Sequence, residues 1–355
     1  MNDDIRDPLG QAGNGDATRG RRRDRWAGEP VPGSPEGGAE MEVGHLPVMV
    51  DEVLATLAPY PGSLQIDATL GGAGHAERIL EASAPDGTLL GLDADGAAVA
   101  RARRRLARFG QRAILRQANF RELEDVAPKA GFGTVDGLLL DLGLSSYQLA
   151  DTERGFGFRA GGRLDMRFDT SRGRPAADLL ATLGAAELAD IFRRYGEERF
   201  SGRIARSIVE ARAKAPVETA EQLAALVEGA VPPARSAPRS RRIHPATRVF
   251  QALRIAVNDE LGALEAGLAA SVVLLRPGGR LAVLSYHSLE DRIVKQFVAT
   301  EQRGCVCPPR IPVCVCGRQP RLRSLGRSRT PSAAEIQANP RSRSARLRGA
   351  ERMAA

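Results

Sequence analysis

Lysine is almost missing from this chain, with three residues against 48 arginines. The choice of Arg over Lys carries no inference by itself, but the placement of charge does. Residues 301–355 hold twelve Arg and three Glu, a balance of +9 in a chain whose total is +8. The other 300 residues are therefore close to neutral, at −1. Basic character is a property of the C-terminal segment, which points to a polyanion contact there or to a solvated tail. Long apolar runs are missing too: none approaches the roughly 18 residues of a membrane span. No apolar h-region stands at the N-terminus, so the expectation is a non-secreted, cytoplasmic chain without a membrane partner. Cysteine is absent from the first 304 residues, and all four lie within 305–316.

What is present is globular. A length of 355 residues with 43% hydrophobic content allows about two domains with ample core. Residues 1–43 are rich in Gly, Pro, Arg and Asp, lack apolar periodicity and read as a disordered extension. A short amphipathic helix over 49–57 follows. An α/β alternation then begins, with strands expected at 63–67, 88–93, 113–118 and 135–140 and helices at 75–83 and 96–109. The continuous apolar run from Val135 to Leu140 is that of a strand buried on both faces. From Pro175 to Ala230 the pattern is helical throughout, and Thr219 with Gln222 forms a capping box. A Ser/Arg/Pro loop at 235–242 leads to a long helix at about 246–275 and a fifth strand over Arg280–Tyr286. The fold expected is α/β, a doubly wound parallel sheet with an all-helical insertion. Residues 44–148 and 246–355 make the α/β domain with its Arg-rich tail, and 149–245 the insertion that covers substrate.

Three segments carry chemistry. Asp67-Ala-Thr-Leu-Gly-Gly-Ala-Gly-His75 reads as a strand ending in an acid, then a glycine turn opening a helix. Such a turn accepts an adenosine-bearing cofactor, with Asp93 placed to accept from ribose hydroxyls. Dinucleotide, S-adenosylmethionine and purely structural readings all fit so far. The strict G-x-G-x-x-G pattern fails, however, because Glu77 stands where the packing glycine belongs. Asp67 suits a cofactor carrying a cationic ammonium and sulfonium. The second segment, Asp141-Leu-Gly-Leu-Ser-Ser-Tyr-Gln148, follows the fourth strand, where it faces the reactive end of the cofactor or simply caps a turn. The third, Leu284-Ser-Tyr-His-Ser-Leu-Glu-Asp-Arg292, crosses from the fifth strand into a helix, with Ser288 as the expected N-cap and Asp291 at the third helical position. Asp141, Ser145 and His287 are the catalytic candidates, although His287 alone reads equally well as a packing histidine.

His45-Leu-Pro-Val, the glycine turn, Asp141-Leu-Gly-Leu-Ser-Ser, Arg154-Gly-Phe-Gly-Phe and Leu164-Asp-Met-Arg occur in order. Tyr195-Gly-Glu-Glu, His244-Pro-Ala-Thr-Arg, Ser285-Tyr-His-Ser-Leu-Glu-Asp-Arg and Asn339-Pro-Arg-Ser-Arg-Ser-Ala follow them. From about 44 to 352 the chain resembles the bacterial 16S rRNA cytosine-N4 methyltransferases of the MraW (RsmH) family. The resemblance implies a class I, Rossmann-like methyltransferase fold. It also implies methyl transfer from S-adenosyl-L-methionine to a cytidine of the decoding centre, cytidine 1402 in the family, within 16S rRNA of the 30S subunit. Carried over by motif, the cofactor contacts are Ala73, Gly74, His75, Asp93, Phe120, Asp141 and Gln148. The family usually has glycine where this chain has Ala73. Arg341, Arg343, Arg346 and Arg348 become the tail residues expected on RNA. DNA amino-methyltransferases present Asp/Asn-Pro-Pro-Tyr after the fourth strand, and this chain does not. A DNA enzyme and a cofactor-binding assembly factor without turnover are the alternatives.

The cysteines form C-x-C-x₆-C-x-C over Cys305, Cys307, Cys314 and Cys316. In a cytoplasmic chain this favours a metal, with tetrahedral zinc the natural choice for four thiolates. Free structural thiols and a redox role are the other readings.

Overall fold

The computed structural model describes residues 47–158, 162–232, 244–303 and 305–354, except 306 and 309. The extension expected at 1–43, His45 and the loop at 235–242 lie outside the described residues. No helix among those described is long and apolar enough to cross a membrane.

Seven strands form one sheet: β1 (Leu64–Asp67), β2 (Thr88–Asp93), β3 (Ala113–Gln117), β4 (Val135–Asp141), β5 (Leu275–Ser285), β6 (Leu322–Ser324) and β7 (Arg346–Arg352). Their order is β3-β2-β1-β4-β5-β7-β6. β1 to β5 run parallel, while β7 is antiparallel to both β5 and β6. Strand alternation divides the apolar side chains between two faces. Leu90, Leu138, Leu140, Leu281 and Val283 pack under α4 (Leu123–Lys129), α11 (Glu260–Leu274) and α12 (Ser288–Arg303). Their neighbours Leu89, Leu139, Ala282 and Leu284 pack under α1 (Val50–Leu57), α2 (Gly74–Ala82) and α3 (Gly96–Arg105). Burial on both faces explains why these strands read as unbroken apolar runs. The fold is the doubly wound α/β sheet expected.

Between β4 and β5 lie α5 (Ser146–Ala150), α6 (Ala176–Thr182), α7 (Ala185–Gly196), α8 (Ser201–Arg212), α9 (Ala220–Ala230) and α10 (Ala246–Asn258). A separate core fills this region, with Leu180, Leu188, Phe192, Ile204, Leu223 and Val227 fully buried. The helix expected over 246–275 is two helices. Asp259, at φ 47, ends α10, and its carboxylate accepts from Arg121 at 2.6 Å. Val249, Phe250 and Leu253 of α10 belong to the helical core, whereas α11 returns to the sheet.

Two further differences concern the C-terminus. The segment 301–355, read as an Arg-rich tail, supplies β6 and β7, and β7 sits inside the sheet between β5 and β6. The turn Pro277-Gly-Gly279 does not precede β5 but interrupts it, as the register moves from Val135↔Leu275 to Gly137↔Arg280.

Candidate active site

Three strands end in aspartate: β1 in Asp67, β2 in Asp93 and β4 in Asp141. In a parallel sheet these carboxyl ends share one edge, so the acids converge. Thr69 ties the edge together. Its backbone N–H donates to Asp67 Oδ1 at 3.1 Å, and its hydroxyl accepts from the Asp141 N–H at 2.7 Å. Asp93 Oδ2 accepts from Gly71 N–H at 2.8 Å and Oδ1 from Asp95 N–H at 2.9 Å, which holds the glycine turn closed over β2. Tyr286, just past β5, donates its hydroxyl to Asp141 Oδ1 at 2.8 Å.

Thr69, Gly71, Asp93, Asp141 and Tyr286 border a cleft of about 840 Å³, part of it open to solvent. Asp93, Phe120, Asp141, Ser145 and Gln148 line it, together with Gly71, Leu264, Tyr286, Glu260 and Glu290. Among the described residues, no Arg, Lys or His lines it. Burial pushes Asp67 and Asp141 up to about 7 and Asp93 up to about 6; at Asp93 the Gly71 and Asp95 N–H groups and Arg101 offset only part of the desolvation. The Tyr286 hydrogen bond pulls Asp141 back down, while Asp67 and Glu290 push it further up. Perturbed acids gathered in a cleft mark a functional site, and their sign selects a cation. A pyrophosphate would meet repulsion here, so the dinucleotide reading loses its physical basis.

Comparison with known proteins agrees. The MraW methylase family model matches residues 42–353. The ribosomal RNA small subunit methyltransferase H of Thermomicrobium roseum is 58% identical over 312 residues, covering 87% of this chain and 94% of that protein. Proteins of the same name from Syntrophotalea carbinolica and Geobacter sulfurreducens are 54% and 53% identical, covering 98% and 100% of their own lengths and 87% and 88% of this chain.

The chain belongs to the MraW methylase family.

Within this family member the glycine turn works differently from a dinucleotide loop. Glu77 faces away from the cleft and takes Arg105 Nη2 at 2.7 Å and Arg108 at 3.0 Å, fastening α2 to the end of α3. Ala73 is fully buried in the left-handed conformation, φ 58 and ψ 22, which glycine adopts without the steric cost of a Cβ. Gly74 packs on Pro47, where a Cβ would stand 2.8 Å from Cγ. Ala73, Gly74 and His75 are not among the residues that line the cleft; His75 Nε2 lies 3.5 Å from Asp141 Oδ2. Phe120 lies against Gly267 of α11, 2.9 Å from where a Cβ would be.

Ser145 and Gln148 cap α5 reciprocally, at 3.2 and 3.0 Å, and Gln148 Nε2 reaches Asp95 Oδ2 at 3.2 Å. Asp95 also takes Arg154 at 2.7 Å, and Arg154 in turn donates to the Phe168 carbonyl at 2.8 Å. That chain of contacts fastens the insertion to the sheet edge and brings Phe168 to the cleft.

His287 requires a correction. It precedes α12, its Nδ1 accepts from Glu290 N–H at 3.4 Å, and Glu290 Oε2 accepts from the N–H groups of Tyr286 and His287 at 2.8 and 3.2 Å. His287 is therefore the cap, in place of Ser288, and it does not line the cleft. Burial alone would raise Glu290, but the His287 side chain, whose Nε2 lies 3.1 Å from Glu290 Oε1, together with the Tyr286 N–H and Arg254, outweighs it and holds the group below the ordinary range. Ser288 instead donates to Glu197 Oε2 at 2.9 Å. Arg348 is corrected too, since it pairs with Asp291 at 2.7 and 3.1 Å. Arg341, Arg343 and Arg346 remain exposed.

The residues missed from sequence are Glu260, Glu290, Asn258 and Phe168. Arg254 holds Glu260 through two hydrogen bonds, at 2.7 and 2.9 Å. Asn258 accepts from Phe168 N–H at 2.7 Å and donates to the Met166 carbonyl at 2.8 Å. Glu290 was legible within its motif; the others depend on the break at Asp259. The four cysteines lie between α12 and β6 and line no part of the cleft.

Proposed function

We propose that this protein methylates N4 of a cytidine in the decoding centre of 16S rRNA, cytidine 1402 in the family, with S-adenosyl-L-methionine as methyl donor and the 30S subunit as partner. The observation that carries the reading is the acidic cleft, which no basic residue lines among those described, in a chain whose relatives are named ribosomal RNA small subunit methyltransferase H. S-adenosylmethionine fits that donor set, because its ammonium and sulfonium supply the cations the acids lack. When bound, it supplies an electrophilic methyl on sulfur.

Each residue then has a task. Asp93, held by Gly71, accepts from ribose hydroxyls, and Phe120 with Leu264 offers apolar walls to adenine. Asp141, oriented by Tyr286, is the acceptor for the target amine. The N4 lone pair is delocalised into the cytosine ring, so the amine is a weak nucleophile. An acceptor on its N–H groups favours pyramidalisation as it meets the methyl. Solvent takes the proton after transfer, and no general base is required. Ser145 spends its hydroxyl on the α5 cap and stands beside this path as part of the base pocket. A base inside folded RNA must be splayed out to enter. Arg341, Arg343 and Arg346 are exposed, and Arg346 pairs with Ser285 next to Tyr286, so phosphates beside the target can be held there.

The test is calorimetry with S-adenosylmethionine and NAD, followed by transfer of labelled methyl to 30S subunits, naked 16S rRNA and duplex DNA. Binding of the sulfonium cofactor alone and label in 30S rRNA support the proposal. Label in DNA supports the amino-methyltransferase alternative, and binding without transfer supports the assembly factor.

A further inference from the structure

The connection between α12 and β6 has no regular secondary structure among its described residues, 305, 307, 308 and 310–321. Its base is fixed. Glu301, buried in α12, takes Arg321 Nε at 2.6 Å as well as Arg318, and the Glu301 carbonyl accepts from Arg321 N–H at 2.9 Å. Among the described residues its tip has no apolar core. Val313 and Val315 are 71% and 76% exposed, and Ile311 also faces solvent. Among the described residues, nothing hydrophobic explains the convergence of this tip.

The sulfurs nevertheless converge. All four Sγ atoms of Cys305, Cys307, Cys314 and Cys316 lie within 4.8 Å of one another. Four of the separations are 3.4, 3.5, 3.9 and 3.9 Å. These are far too long for disulfides, whose sulfurs lie about 2.05 Å apart. They are the right length for a tetrahedral thiolate site, because bonds of about 2.3 Å from zinc place sulfurs about 3.8 Å apart. The sequence makes this arrangement accessible. In extended backbone, alternate side chains share a face. Each C-x-C pair can therefore present both sulfurs to one side and its intervening residue to the other. A turn closed by Ile311 N–H to the Pro308 carbonyl at 3.1 Å folds the second pair back on the first.

We infer that Cys305, Cys307, Cys314 and Cys316 form a structural zinc site that closes the α12–β6 connection. Four protein ligands leave no open position, so the metal has a structural task and no part in methyl transfer. Binding deprotonates the coordinating thiols and releases those protons to solvent. Neither the cleft nor the methyl donor enters the inference, and it stands or falls independently of the proposed function.

The test uses the full chain, purified under a thiol-free reductant without chelator. Metal analysis should find one zinc per chain, and the chelated protein should take up one Co²⁺ with the strong visible absorption of tetrahedral cobalt–thiolate. The double variant Cys305→Ser/Cys314→Ser should lose both while keeping its circular dichroism spectrum, since the altered side chains are exposed. Zinc well below one per chain with no Co²⁺ uptake by the reduced protein would overturn the inference. So would full zinc retention in a folded double variant, or stoichiometric iron in place of zinc. Single Cys316→Ser protein, measured the same way, decides the matter if the double variant does not fold.

Discussion

The Tyr286 hydroxyl lies 2.8 Å from Asp141 Oδ1, joining the ends of β5 and β4 across 145 residues of sequence. The contact orients the acid proposed to meet the target amine and opposes the desolvation that pushes it up to about 7. Tyr286→Phe removes the donor without emptying the space. A hydrogen bond to a charged group contributes about 1.5–3 kcal/mol, so methyl transfer at neutral pH should fall roughly 10- to 100-fold. The acidic limb of the pH–rate profile should also move to higher pH, because Asp141 loses the interaction that lowers it. A slower enzyme with an unmoved limb would mean that Tyr286 only fills space.

Asp67, Asp93 and Asp141 make this edge of the sheet pH-sensitive, with a definite sign. Their folded values, about 7, 6 and 7, lie above the ordinary carboxylate range, so the folded state holds protons that the unfolded chain has released. Their contribution to stability is therefore lost as pH rises from about 4 through 7. A cationic ligand favours the ionised acids, so S-adenosylmethionine affinity should increase over the upper part of that window, with proton release. Calorimetry in buffers of different ionisation enthalpy measures it. Affinity that is flat between pH about 5.5 and 7.5 would contradict this account.

Asp93→Asn tests the ribose assignment. The amide keeps one acceptor for the Gly71 turn but loses the charge. S-adenosylmethionine binding should weaken about 10- to 100-fold, with kcat at saturation changing much less. Unchanged affinity would remove Asp93 from the cofactor site.

Ala73→Gly should stabilise the protein by about 0.5–1 kcal/mol, because an L-residue in the left-handed region pays a steric cost that glycine does not. The urea midpoint should rise at unchanged slope. A lower midpoint would show that the buried Ala73 methyl contributes more than its backbone costs.

Arg346 and Arg348 are two positions apart on β7 and should behave oppositely. Arg348→Ala breaks the pair with Asp291 that fastens β7 to α12, so it should destabilise by about 1–3 kcal/mol and leave the salt dependence of RNA binding unchanged. Arg346→Ala should leave stability within about 0.5 kcal/mol and reduce the salt slope by about one. Equal loss of RNA affinity in both variants would return Arg348 to the substrate face.

The sheet was legible where apolar runs ended in an acid: Ile66-Asp67, Leu92-Asp93 and Leu140-Asp141 all stand at strand ends, as their spacing suggested. β7 was not. Arg346-Leu-Arg-Gly-Ala-Glu-Arg352 looks like tail, and its charges become tolerable inside a sheet only through partners distant in sequence. Arg348 finds Asp291, and Arg352 donates to the Val272 carbonyl at 3.0 Å. The break at Asp259 was equally hidden, because no Gly or Pro announces it and it is held by Arg121, 138 residues away. His287 misled for a local reason, since histidine is an uncommon cap and Ser288 beside it is a common one.

The most direct measurement is nucleoside and oligonucleotide mass spectrometry of 16S rRNA from 30S subunits treated with this protein and S-adenosylmethionine. The account predicts one methyl on N4 of the decoding-centre cytidine, absent from reactions with Asp141→Ala protein that still binds the cofactor. A methyl on C5 or on the ribose, or normal methylation by that variant, would contradict it.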